Sequence, residues 1–107
     1  MSEIERTQME TRLLRILGEL ERQAEVAAAY PANALPFSEE MKQIREFIEV
    51  AGEYGVAYES LVAAIESHPF VLSGKTAISL LELGLLLGYK TDRNEDHGFD
   101  RRSMPST

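Results

Sequence analysis

The sequence has no cysteine and no tryptophan, and only four prolines among its 107 residues. Without cysteine there is no disulfide framework and no thiolate zinc or iron–sulfur site, a usage that fits a reducing compartment. Long apolar runs are also missing, and none approaches the roughly twenty residues that a membrane-spanning helix needs. Glu3, Glu5 and Glu10 stand where a secretory signal requires a basic start and an unbroken apolar segment. These absences lead us to expect a soluble, untargeted, cytoplasmic chain. Basic charge is scarce as well: eleven Lys and Arg against eighteen Asp and Glu give a formal charge of −7. Such a surface repels nucleic-acid phosphate and anionic lipid and attracts basic proteins. Solubility alone is the simpler cause of the charge.

What is present is helical periodicity. Ile44, Phe47 and Ile48, then Ala57, Leu61, Ala64 and Ile65 after the Gly52/Gly55 break, give each segment one apolar face. Those faces must be buried against one another, so the chain reads as all-α, a small bundle of about four helices in a single domain over residues 1–90. Residues 91–107 form a polar C-terminal tail, expected to be partly disordered.

In chain order, residues 2–30 read as one long helix, capped by Ser2, with Glu3 and Glu5 in its first turn and no breaker before Pro31. Leu13, Ile16, Leu17, Leu20, Ala24 and Ala27 make its stripe, while Arg12, Arg15, Glu19 and Arg22 form a solvated back. A dimerising coiled coil is disfavoured by the shortness of the stripe and by Gly18. Pro31 to Pro36 is a linker. Ser38 is placed to cap a second helix, Glu39 to Ala51, with Phe37 stapling back onto it.

Gly52 stops that helix and Glu53-Tyr54-Gly55 turns into a third, which ends near Ser67 because His68 precedes Pro69. Ser73 caps a fourth, Gly74 to Leu87, closed by Gly88. Leucine and isoleucine nearly all round this last helix mark it as the central, most buried one.

No catalytic signature emerges, and the chain is not expected to be an enzyme. Gly74-Lys75-Thr76 looks like the end of a phosphate-binding loop, but the glycine needed five residues earlier is Pro69. Asp92, Asn94 and Asp96 alternate as in a calcium loop, whose required glycine and glutamate are replaced by His97 and Ser103; weak cation binding by Asp92, Asp96 and Asp100 is all that remains. His68 and His97 have no second ligand at helical spacing and no nucleophile beside them. No metal or cofactor is expected.

From Ser38 to Ser67 the glutamates at 39, 40, 46, 49, 53, 59 and 66 face only Lys42 and Arg45 as basic neighbours. This is the most negative ordered stretch expected in the chain. Ile44-Arg-Glu-Phe-Ile48, Gly52-Glu-Tyr-Gly-Val-Ala-Tyr-Glu59, Leu61, Phe70-Val-Leu-Ser73 and Leu80-Leu-Glu-Leu-Gly84 together resemble the small helical immunity proteins of the MafI type, over about Phe37 to Tyr89. The long first helix, the Pro31–Pro36 linker and the tail exceed that pattern. The resemblance implies a protein that binds and neutralises a cognate bacterial polymorphic or contact-dependent toxin, as a monomer or homodimer. A toxin that is a nuclease with a basic cleft would meet an acidic helical face by complementary charge. On that expectation Glu46, Glu49, Glu53, Tyr54 and Glu59 are the docking residues, with Tyr54 as aromatic anchor; a solvated face and a Tyr54 that pins the inter-helix turn is the plainer reading. A helical adaptor or regulatory subunit, using the first helix or Leu80–Leu87 as its interface, is the alternative function.

Overall fold

A computed structural model describes residues 2–88 of the chain. Within them the protein is all-α: α1 Glu3–Glu21, α2 Ala24–Ala28, α3 Phe37–Glu49, α4 Tyr54–Ser67 and α5 Gly74–Leu86. The tail, with Asp92, Asp96, His97 and Asp100, lies outside the described residues. No helix among those described is long and apolar enough to cross a membrane.

The expected first helix is two. It stops at Glu21, Arg22 keeps helical dihedrals, and Gln23 turns to φ −95°, ψ 78° before α2 begins. The turn shifts the phase of the stripe, so Val26 is buried where Ala24 and Ala27 were expected, and Ala24 is exposed. No proline or glycine marks the break. Its cause lies across the fold: the Gln23 carboxamide donates to the Val71 carbonyl at 2.8 Å and accepts from the Val71 N–H at 2.9 Å. It also donates to the Glu19 carbonyl at 3.2 Å.

α3 starts one residue before the expected cap, with Pro36 at the N-cap position and no side-chain cap bond. Pro36 suits this place because its fixed φ matches the observed −58° and it has no N–H to leave unpaired. Phe37 is therefore inside the helix, half-buried and packed on the core. Ser73 does cap α5, its hydroxyl accepting from the Thr76 N–H at 3.2 Å. Gly52 and Gly88 both take positive φ, +63° and +83°, and end α3 and α5 as glycine does most readily.

The central helix is α1, not α5. α1 packs against α3, α4 and α5, and α3 packs against α4, whereas α5 rests chiefly on α1. Leu13, Leu17 and Leu20 of α1, Ile44 and Ile48 of α3 and Leu61 of α4 are almost wholly buried in one cluster. α5 contributes Leu80 and Leu83 to it and leaves Ile78, Leu81, Leu85 and Leu86 exposed by 60, 48, 42 and 60%. A helix apolar all round is buried all round only if neighbours surround it; α5 has one principal neighbour.

Candidate docking face

The face is built by the α3–α4 hairpin. Met41, Ile44 and Ile48 turn inward at spacings of three and four, which carries Glu46 to the far side of α3, roughly 160° from Ile48 by helical geometry. Glu46 and Glu49 are both exposed and, three apart, neighbour each other on the helix surface. The Glu53 N–H then donates to the Phe47 carbonyl at 2.8 Å, which folds the turn back against the last turn of α3. Glu53 is exposed at the N-cap of α4, where its carboxylate sits favourably at the positive end of the helix dipole. Glu46, Glu49 and Glu53 are thus gathered at one end of the hairpin.

The other two expected residues stand differently. Tyr54 is half-buried and packed against the core, which makes it a pin for the turn and leaves only part of its ring to solvent. Glu59 is half-buried and six positions beyond Glu53, about one and two-thirds turns along α4, so it faces another side of that helix.

Glu49 is not a bare charge. Arg45 reaches it at 3.7 Å and reaches Glu21 of α1 at 2.5 Å, so one guanidinium bridges two carboxylates from two helices. Both partners are partly exposed, and such pairs orient side chains more than they stabilise the fold. Glu46 and Glu53 therefore carry the less compensated part of the negative potential.

Sequence reasoning passed over the carboxylate that ties the last turn of α1 to the start of α5. Glu19, expected on a solvated back, accepts the Ser73 N–H at 3.0 Å, the Ser73 hydroxyl at 3.1 Å and the Thr76 hydroxyl at 2.9 Å. Partial burial works to raise its pKa, but these hydrogen bonds and nearby Arg22 outweigh it and hold the carboxyl below its ordinary range. An aromatic cluster was equally invisible. Tyr30 stacks on His68 with ring centroids 3.7 Å apart and meets Phe37 edge-on at 5.4 Å, while its hydroxyl donates to Glu40 at 2.6 Å. Burial and the Glu40 carboxylate push the Tyr30 hydroxyl well above the usual tyrosine range. The only available signal was composition: Tyr30, Phe37, His68 and Phe70 flank the two loops that have to meet.

Among the described residues no group of three or more His, Asp or Glu side chains is placed to hold a metal ion. The arrangement at Glu46, Glu49 and Glu53 offers acceptors and negative potential to a basic partner surface. Comparison with known protein families, curated proteins and solved structures finds no match to this chain.

Proposed function

We propose that the chain is an immunity protein that binds a cognate bacterial toxin domain and neutralises it stoichiometrically, without a cofactor. The observation that carries the reading is the exposed carboxylate group at the α3–α4 turn, Glu46, Glu49 and Glu53, on a hairpin whose inner side is fixed by Ile44, Ile48 and Leu61. A rigid acidic face needs little ordering on binding and steers a basic partner, such as a nuclease whose cleft must attract phosphate, into fast association. The MafI-type resemblance supplies the class of partner. The half-buried Tyr54 sets the turn that holds Glu53 in place, and Glu59 lies at the margin of the interface.

Co-expression tests the reading. A bacterium producing the toxin domain encoded beside this chain is expected to grow when the chain is present and to stop when it is absent. The purified pair should form a one-to-one complex weakened by salt. Growth arrest unaffected by the chain would overturn the proposal.

A further inference from the structure

A groove of about 520 Å³ lies between α1 and α5, and none of the carboxylates of the acidic hairpin lines it. Side chains that span the two helices brace both of its ends. Arg12 pairs with Glu82 at 3.4 Å at one end. At the other, Glu19 accepts the hydroxyls of Ser73 and Thr76 at 3.1 and 2.9 Å. Seven residues of α1 separate Arg12 from Glu19, so the braces stand roughly 10 Å apart. Arg15 and Ile16 line the space between them from α1, and Lys75, Ile78 and Ser79 line it from α5.

The charge in this groove opposes that of the chain. Of the seven basic residues between positions 2 and 88, three line it, Arg12, Arg15 and Lys75, against the one carboxylate of Glu82. Glu82 is engaged by Arg12, and Glu19, behind Thr76, is offset by nearby Arg22. Arg15 and Lys75 are exposed and make no ion pair among the described residues. Two uncompensated positive charges thus border one concavity in a chain of net charge −7. Solubility explains a negative surface, but it does not explain why cations that repel one another are gathered in one place.

Lys75 belongs to the Gly74-Lys75-Thr76 run that looks like the end of a phosphate-binding loop. No such loop forms, because Ser73 caps α5 and Gly74 opens it. What Lys75 has instead is Arg15 on the facing helix. Their combined charge of two matches a phosphate monoester, which carries about −1.5 to −2 near neutral pH, better than it matches a single carboxylate. Arg15 supplies a planar fork of donors and Lys75 a compact cation, and Ser79 adds a hydroxyl. Ile78, 60% exposed, and the edge of Ile16 give the groove an apolar floor for the organic part of such an ester. The volume lies within the range of small-molecule sites.

We propose that the α1–α5 groove binds a small phosphate monoester, with Arg15 and Lys75 holding the phosphate and Ile16 and Ile78 supporting an apolar or aromatic group esterified to it. The inference does not rest on the immunity reading and uses none of the residues of the acidic face.

Titration of the ¹⁵N-labelled full chain with phenyl phosphate, inorganic phosphate and benzoate, followed by amide chemical shifts, tests it. Phenyl phosphate should give saturable shifts gathered around Arg15, Lys75 and Ile78, with a dissociation constant of about 1 mM. Inorganic phosphate, which lacks the ring, and benzoate, which lacks the second charge, should each bind about fivefold more weakly or worse. Arg15→Gln and Lys75→Gln, both at exposed positions, should each weaken phenyl phosphate about fivefold with helical circular dichroism unchanged. Lys42→Gln, exposed on α3, should leave it unaltered, and Ile78→Ser should lower phenyl phosphate to the level of inorganic phosphate. The proposal is overturned if phenyl phosphate gives no saturable shift up to about 20 mM, or if its shifts gather elsewhere on the protein. Benzoate binding as tightly as phenyl phosphate would remove the phosphate from the assignment. A loss in Lys42→Gln equal to that in Lys75→Gln would reduce the effect to general charge attraction and overturn the site as well.

Discussion

Gln23 holds both backbone polar groups of Val71 with one carboxamide, at 2.8 and 2.9 Å, and this pairing breaks the first helix. An amide that both donates and accepts is the side chain suited to an unpaired strip of backbone in the loop between α4 and α5. Gln23→Leu should therefore cost about 0.5–1.5 kcal/mol, the lower range for hydrogen bonds that water can partly replace. Gln23→Glu should cost more, since a carboxylate keeps the bond to the Val71 N–H but confronts the carbonyl with a second acceptor. Urea unfolding of the two variants beside the wild type checks the order.

One turn earlier, Glu19 ties α1 to the start of α5, and this tie should be visible in acid. Its carboxyl is held below the ordinary value of 4.5 in the folded chain, so its contribution is fully present above that value and disappears as pH falls through the lower, folded one. Glu19→Gln should be less stable than the wild type at neutral pH, and the gap should close on acidification below the ordinary value of 4.5. Unfolding curves at a series of pH values measure it; a gap of constant size would mean that the carboxylate's charge adds nothing.

Tyr30 gives the opposite sign at the opposite end of the scale. Its hydroxyl is neutral in the fold, with a pKa raised above the ordinary 10.0, so the folded chain keeps a proton that the unfolded chain gives up. Stability from this group is complete below pH 10 and falls as pH rises above it. Ultraviolet titration should show one tyrosine ionising later than the others, and Tyr30→Phe should remove that late step. At neutral pH the same substitution, which deletes the bond to Glu40, should cost about 1 kcal/mol or slightly more.

How far the sequence discloses the fold follows from where the forces act. α3, α4 and α5 are legible because local devices delimit them: Gly52 at φ +63°, the Ser73 cap and Gly88 at φ +83° are all visible as residue types. The α1–α2 break is not, because Gln23 is an ordinary helix residue until Val71 is brought beside it. The burial of α5 is misread for the same reason. Its leucines report apolar surface, and only the arrangement around α1 decides which of them is covered. At the candidate face, Glu46 and Glu49 follow from helical spacing, but that Glu49 shares Arg45 with Glu21, 28 positions away in sequence, belongs to the packing of α1 on α3.

Gly52 itself yields a direct check on the hairpin. A Cβ there would find ordinary contact with the Arg6 guanidinium at 3.7 Å, so space is not the obstacle; the left-handed dihedral is. Gly52→Ala should cost about 1–2 kcal/mol from backbone strain alone. Gly74→Ala, at a position with open space and no positive φ, should be neutral or slightly stabilising. Thermal unfolding of the pair separates strain from crowding.

The acidic face can be separated from the fold because its most exposed carboxylates contribute little to stability. Reversing Glu49 would disturb the Arg45 bridge to Glu21, so it mixes docking with packing. Glu46 and Glu53 avoid this, being exposed and taking no part in that bridge. The double variant Glu46→Lys/Glu53→Lys should unfold within about 1 kcal/mol of the wild type, the loss arising mainly from a cation at the N-terminus of α4. On the proposed immunity function, its association rate with the toxin domain should fall about tenfold or more at low salt, and most of the salt dependence should go with it, as expected when steering charge is removed. Stopped-flow association at two ionic strengths reads both quantities. A rate unchanged by the double reversal would place the toxin on another face of the protein while leaving its helical frame as described.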